Sequence, residues 1–270
     1  MIDNGRIEST FQRLRAEGRC GFVAFVTVGY PDIESTPGLV RALIDGGADV
    51  IELGVPFSDP LAEGPTIQAS TFHALENGTT MADCMDVARK LRASGVETPL
   101  VFMGYYNPML SYGLERFAKD AAEAGVDGVI PVDVPPEESG PLHAACVAAG
   151  LRVIYLLAPT STDERIAQVA KLASGFVYCV SLTGTTGARS ALAEDLAAFI
   201  DRVRRQIGLP LAVGFGISQP EHFQAVAKLA DAAVIGSAII DEISKSDPSE
   251  REARLKNYAE VVTGRRGAAA

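Results

Sequence analysis

Glu52 stands between Ile51 and Leu53 in the apolar run DVIELGV that starts at Asp49. Burying a charge there costs several kcal/mol unless the carboxylate is paired or neutralised. Two readings follow from the residue type. Glu52 is either matched by a core arginine or backbone donors, or it is an acid with a raised pKa, suited to passing protons near neutral pH. Asp59 and Glu63 follow in the segment SDPLAEGP. Each alone reads as an ordinary loop acid. A loop folded back over the site would set Glu63 on the opposite side of a ligand from Glu52, and two carboxylates in different environments can divide acid and base roles.

Glycine-bearing segments form a second constellation: Thr183 to Gly187, Gly214-Phe215-Gly216 and Gly236-Ser237. Glycines at strand ends let backbone N–H groups reach a ligand, and a helix N-terminus beside them favours phosphate. Each could be only a tight turn; the set together points to an anion seat.

The absences narrow the chemistry. The lysines (Lys90, Lys119, Lys171, Lys228, Lys245, Lys256) fall in helix-period or C-terminal segments, so a Schiff-base nucleophile at a strand end is missing. His73, His143 and His222 are too scattered for a metal triad, and no metal site is expected. Cys20, Cys84, Cys146 and Cys179 form no CxxC pair and read as small hydrophobes in a reducing compartment. Tyr178 and Cys179 are neighbours in one apolar run, so one of them faces inward.

These residues need a scaffold that gathers strand ends. Eight β-branched or apolar runs supply it, beginning at Gly21, Asp49, Pro99, Gly125, Leu151, Gly175, Pro210 and Asp231. Their near-continuous apolarity predicts parallel strands buried on both faces. Helix-period stripes lie between them, such as Met81, Met85, Ala88 and Leu91, or Leu192, Leu196, Phe199, Val203 and Ile207. Gly46-Gly47, Gly95, Gly125, Gly150 and Gly208 are placed to close helices, and Ser218 to Glu221 reads as a capping box. Eight βα units without a dinucleotide fingerprint predict an α/β fold, a closed (β/α)8 TIM barrel. Ile7, Phe11 and Leu14 mark an extra N-terminal helix that should plug the N-terminal end of the barrel. Long loops, from Pro56 to about Pro65 and from Leu182 to about Ala191, have the composition of lids.

The chain has 270 residues, 47% of them hydrophobic, which suits one barrel domain over 1–270, with 264–270 as a frayed tail. A net charge of −10 disfavours nucleic acid and anionic membranes as partners. The N-terminus lacks an apolar signal core and no run is long enough to span a bilayer, so a cytoplasmic location is expected.

The segment IELGVPFSDPLAEGP, from Ile51 to Pro65, closely resembles the signature of the tryptophan synthase alpha chain family. FVTVGYP from Phe25, YYNP from Tyr105, DVPPEE from Asp133, LAPTST from Leu157, SLTGTTGAR from Ser181, GFGIS from Gly214 and GSAII from Gly236 match in order and spacing. The resemblance implies a TIM barrel that cleaves indole-3-glycerol phosphate to indole and glyceraldehyde 3-phosphate in tryptophan biosynthesis. It implies Glu52 as general acid and base and Glu63 as second catalytic carboxylate, at a position where the family more often carries Asp. Tyr178 matches the active-site tyrosine and Thr186 the lid threonine. Gly187, Gly216, Gly236 and Ser237 match the phosphate binders, and Phe25, Met103 and Phe215 the indole pocket. Asp133 and the Asn107-Pro108 turn fall where the family meets or signals to its partner. That implied partner is the tryptophan synthase beta chain, in a heterotetramer of two alpha and two beta chains. Pyridoxal phosphate would belong to the beta chain, and this chain would carry no cofactor. A sugar-phosphate isomerase would instead place its catalytic residues elsewhere and lack an aromatic pocket, and a purely regulatory barrel gains nothing from burying a carboxylate.

Overall fold

The computed structural model describes residues 5–180, 189–214 and 216–265. Among them, parallel pairing links nine strand segments: β1 (Gly21–Thr27), β2 (Val50–Gly54), β3 (Leu100–Gly104), β4 (Gly128–Pro131), β5 (Arg152–Val153), β6 (Leu156–Leu157), β7 (Val177–Val180), β8 (Leu211–Gly214) and β9 (Ala232–Ile235). β1 pairs with both β2 and β9. The fifth apolar run supplies two segments. Its start, β5, pairs with β4, and its end, β6, pairs with β7. Ile154 N–H still donates to Val129 C=O at 2.9 Å, and Tyr155 C=O accepts from Tyr178 N–H at 3.0 Å. This one run therefore joins both neighbours, and the expected eight-stranded ring closes through it with the stagger that a barrel requires.

The helices are α1 (Arg6–Ala16), α2 (Thr36–Asp45), α3 (Pro65–Glu76), α4 (Met81–Ala93), α5 (Tyr106–Tyr112), α6 (Leu114–Glu123), α7 (Gly140–Ala148), α8 (Asp163–Leu172), α9 (Arg189–Arg204), α10 (Pro220–Ala227), α11 (Ser237–Lys245) and α12 (Arg251–Val262). Most of the predicted stripes are buried: Met85, Ala88 and Leu91 on α4, and Phe199, Val203 and, just past its end, Ile207 on α9; Met81 and Leu196 are half-buried against the core, and the Leu192 side chain lies outside the described residues. The second unit carries two helices. α3 starts at Pro65, where the long loop ends, and α4 follows.

α1 buries Ile7, Phe11 and Leu14, as its stripe predicts. The Phe11 ring lies 5.6 Å from that of Phe176, at the entrance of β7. Leu14 packs where Gly21 opens β1, so closely that a Cβ on Gly21 would lie 2.9 Å from it.

Polar bonds recur at that same end. Asp49 N–H donates to Phe22 C=O at 2.8 Å while its carboxylate accepts from Phe22 N–H at 3.0 Å. Asp127 makes the same reciprocal pair with Leu100, Ser174 with Val153, and Asp231 with Leu211. Each pair satisfies a backbone N–H at a strand start, where the ladder leaves it without a partner. The capped strands are the first, third, fifth and seventh of the ring.

Some local expectations are corrected. Ser218 to Glu221 forms no capping box: Pro220 takes the first helical position, which makes Gln219 the N-cap and leaves Ser218 one residue too early. Thr80 with Asp83, at the start of α4, does form a capping box. Gly47, Gly95, Gly125 and Gly150 close helices with positive φ, but Gly208 does not. The Arg265 guanidinium lies 3.6 Å from the Asp49 carboxylate, and the rest of the expected tail, 266–270, lies outside the described residues.

Candidate active site

The carboxyl ends of the strands surround a cavity of about 370 Å3, within the range of small-molecule sites. Phe25, Ile67, Met103, Val132, Leu156 and Val234 make most of its wall apolar. Glu52, Glu63, Tyr178, Gly216, Gly236 and Ser237 also line it. The sequence-predicted residues are thus brought together, except Phe215, Thr186 and Gly187, which lie outside the described residues.

Glu52 sits at the centre of β2, opposite Phe25 on β1 and Val101 on β3. It is fully buried, and neither carboxylate oxygen has a hydrogen-bond partner among the described residues. The paired-core reading of Glu52 is therefore not met. Burial, with the charge of Glu63 as the second cause, pushes its pKa up to about 8. Glu63 enters the same cavity from the loop between β2 and α3, and burial raises its pKa to about 7. Asp59 behaves as a loop acid: it is exposed and accepts a hydrogen bond from the Ser58 hydroxyl at 2.6 Å.

Tyr178 is the member of its pair that faces the cavity; Cys179 is fully buried on the opposite face of β7. Burial, then the charges of Glu52 and Glu63, holds the phenol well above its usual pKa, so it stays neutral. Glycines make room for both aromatic walls. A Cβ on Gly214 would overlap the Tyr178 hydroxyl, and one on Gly54 would lie 2.5 Å from the Phe25 ring.

Across the mouth, Gly236 precedes α11, whose N-terminal Ser237 opens into the cavity. First-turn N–H groups lack intrahelical acceptors and carry the positive end of the helix dipole, so this rim suits an anion. Gly216, at φ +70°, brings the loop after β8 to the same rim.

Several other residues make local structural contacts. His73 Nε2 lies 3.0 Å from Pro31 C=O and His143 Nε2 3.1 Å from Leu172 C=O, both in helix-packing contacts. The cysteines are free thiols. Among the described residues no group of His, Cys, Asp and Glu is placed to hold a metal ion, and no helix is long and apolar enough to cross a membrane. Asp133 accepts from Tyr106 N–H at 2.8 Å and so caps α5 from the neighbouring strand's loop. Ile67, Val132 and Leu156 were not singled out by sequence reasoning. Val132 and Leu156 follow or end apolar runs, where barrel sites lie, but nothing local distinguishes them from core.

A family model described as tryptophan synthase alpha chain matches residues 11–268. The tryptophan synthase alpha chain of Roseiflexus castenholzii is 51% identical over 259 residues, covering 96% of this chain and 99% of that protein. That of Chloroflexus aggregans is 54% identical over 253 residues, covering 94% and 95%. The crystal structure of tryptophan synthase subunit alpha from Legionella pneumophila superposes with a TM-score of 0.87 at 38% identity, covering 96% of this chain and 99% of that one. Full-length matches at this identity, on a barrel whose cavity gathers the signature residues, mean that this chain belongs to the tryptophan synthase alpha chain family.

Proposed function

We propose that this chain, acting as one barrel domain, cleaves indole-3-glycerol phosphate into indole and glyceraldehyde 3-phosphate with its own side chains and no cofactor. The observation that carries this reading is a fully buried, unpartnered Glu52 in an apolar cavity that also holds Glu63. With a pKa of about 8, Glu52 starts protonated at neutral pH. It gives that proton to indole C3 while the Glu63 carboxylate takes the ring N–H proton. The resulting Glu52 carboxylate removes the proton of the side-chain hydroxyl next to the ring. That C–O becomes an aldehyde, the bond to C3 breaks, its electrons return to the ring, and Glu63 returns the proton to nitrogen. Both carboxyls end as they began.

Phe25 and Met103, with Phe215, wall the ring, whose burial supplies affinity. Gly216, Gly236 and Ser237, with Gly187, hold the phosphate; Thr186 closes the lid, and Tyr178 packs beside both carboxyls. The apolar wall favours an aromatic ligand over a free sugar phosphate. The tryptophan synthase beta chain, carrying the pyridoxal phosphate, docks on the mouth in a heterotetramer of two alpha and two beta chains, and the assembly works in the cytoplasm. Support for that docking face is the exposure of Leu61 and Leu110 and a shallow hollow lined by Phe57, Asn107, Pro108 and Leu110.

The test is indole release from indole-3-glycerol phosphate by the purified chain, with and without a beta chain. Turnover that rises with the beta chain and is lost in Glu52→Gln, which keeps ligand binding, is the expected result. No indole from any wild-type sample would overturn the proposal.

A further inference from the structure

We propose that Tyr105 and Gln68 are positioning residues that clamp the loop between β2 and α3 and so hold the Glu63 carboxylate in the cavity. The inference rests on the reading of Glu63 as the second catalytic carboxylate. The loop leaves the barrel at Val55, whose N–H still donates to Met103 C=O at 2.8 Å. From there to Pro65, its own backbone bonds are local: Leu61 N–H to Asp59 C=O at 2.9 Å and Glu63 N–H to Pro60 C=O at 3.0 Å. Asp59, Leu61, Ala62 and Gly64 are exposed. Such a segment has little of its own to fix the direction of one side chain.

Two side chains from outside the loop grip it on either side of Glu63. The Tyr105 hydroxyl oxygen accepts the Ala62 N–H at 3.0 Å, and Gln68 Nε2 donates to the Glu63 carbonyl at 2.9 Å and more weakly to Pro60 C=O at 3.4 Å. The Tyr105 anchor is rigid. It is 6% exposed, follows directly on β3, and forms the N-cap of α5, whose first N–H is fixed by Asp133. Its ring centroid lies 5.2 Å from that of Phe57, on the same loop. Tyr105, Phe57 and Glu63 line one small crevice beside the main cavity. Gln68 acts from the first turns of α3, so one jaw of the clamp follows β3 and the other stands on the helix that the loop enters.

The consequence is geometric and electrostatic. A general base displaced by about 1 Å can lose on the order of 100-fold in rate, and the Glu63 charge is one of the two causes of the raised Glu52 pKa. Loosening the clamp therefore lowers kcat, leaves KM governed by the phosphate rim and ring pocket, and moves the Glu52 titration down. The experiment uses full-length Tyr105→Phe and Gln68→Leu. Steady-state cleavage of indole-3-glycerol phosphate is measured, and the side-chain carboxyl carbons of Glu52 and Glu63 are titrated by NMR in the free chain.

The expected result is a fall in kcat of about tenfold for Tyr105→Phe and less for Gln68→Leu, in the range that positioning losses reach, with KM within about twofold and a lower Glu52 midpoint. An unchanged kcat and an unchanged Glu52 midpoint in both variants overturn the clamp. A raised KM at constant kcat also overturns it, because Tyr105 would then be a ligand contact. If Tyr105→Phe fails to fold, Gln68→Leu, at an exposed helix position, decides alone. A wild type without turnover refutes the proposed reaction, while the titration still judges the clamp.

Discussion

Glu52 is held in the folded barrel in a form that the unfolded chain does not favour. Its pKa, near 4.5 when solvated, rises to about 8 with burial and the charge of Glu63. A carboxyl whose folded pKa is raised contributes stability that is fully present below the unfolded value and is lost as the pH climbs through the folded one. Between about pH 4.5 and 8 wild type should lose on the order of 4 kcal/mol from this group, and Glu52→Gln should not. Urea unfolding of both proteins across that range gives the check: the two stability curves converge at low pH and separate as the pH rises. Parallel curves would mean that Glu52 ionises as easily folded as unfolded. This residue was legible in the sequence because a charge inside IEL conflicts with its neighbours. Glu63 was not legible alone, since nothing in SDPLAEGP separates it from Asp59 until the loop folds inward. Tyr105 was legible only as part of a motif, because a phenol that accepts an N–H from a distant loop leaves no local pattern.

Element boundaries show what periodicity carries and what it misses. The strands and the amphipathic stripes were readable because burial imposes a repeat on the sequence. The split of the fifth run was not, because it arises from pairing with two neighbours at different heights, which is a property of closure and not of the run. The reciprocal bonds at strand entrances were likewise hidden. Asp49, Asp127 and Asp231 stand just before strands, but the fourth member is Ser174, and only the folded ring shows that all four cap alternate strands. Asp49 shows what such a cap is worth. Burial alone pushes its carboxyl up, but the Arg19 guanidinium, Phe22 N–H and Arg13 outweigh burial and hold it below its ordinary 3.8. A depressed carboxyl contributes stability present above the unfolded value and lost as the pH falls through the folded one. Asp49→Asn should therefore cost about 1–3 kcal/mol at neutral pH, and the deficit should shrink below pH 3.8. Thermal melts of the pair at neutral and acid pH measure it, and an equal deficit at both would assign the loss to packing instead of charge.

Across the whole molecule the two ends of the barrel treat their charges in opposite ways. β2 carries the contrast within one strand: just ahead of it, Asp49 is surrounded by Arg13, Arg19, Arg265 and a backbone N–H, whereas Glu52, at its centre, has no hydrogen-bond partner among the described residues. At the entrance end the Asp49, Asp127 and Asp231 carboxylates are paired and α1 seals the ring, and at the cavity end a carboxyl is left unpaired to react. If stability and chemistry are separated in this way, damage to the plug should be felt only as stability. Phe11 tests this, because its ring packs against Phe176 at the entrance of β7 and is nearly buried. Phe11→Ala should cost about 3 kcal/mol, through lost burial and the cavity left behind. The urea midpoint should fall with an unchanged slope, since the surface exposed on unfolding hardly changes. Below the new midpoint, kcat and KM for indole-3-glycerol phosphate should match wild type within about twofold, because a loss confined to the folded-state equilibrium does not enter transition-state binding. A fall in kcat in fully folded Phe11→Ala would show instead that the plug is coupled through the strands to Glu52, and that the barrel transmits strain from its sealed end to its open one.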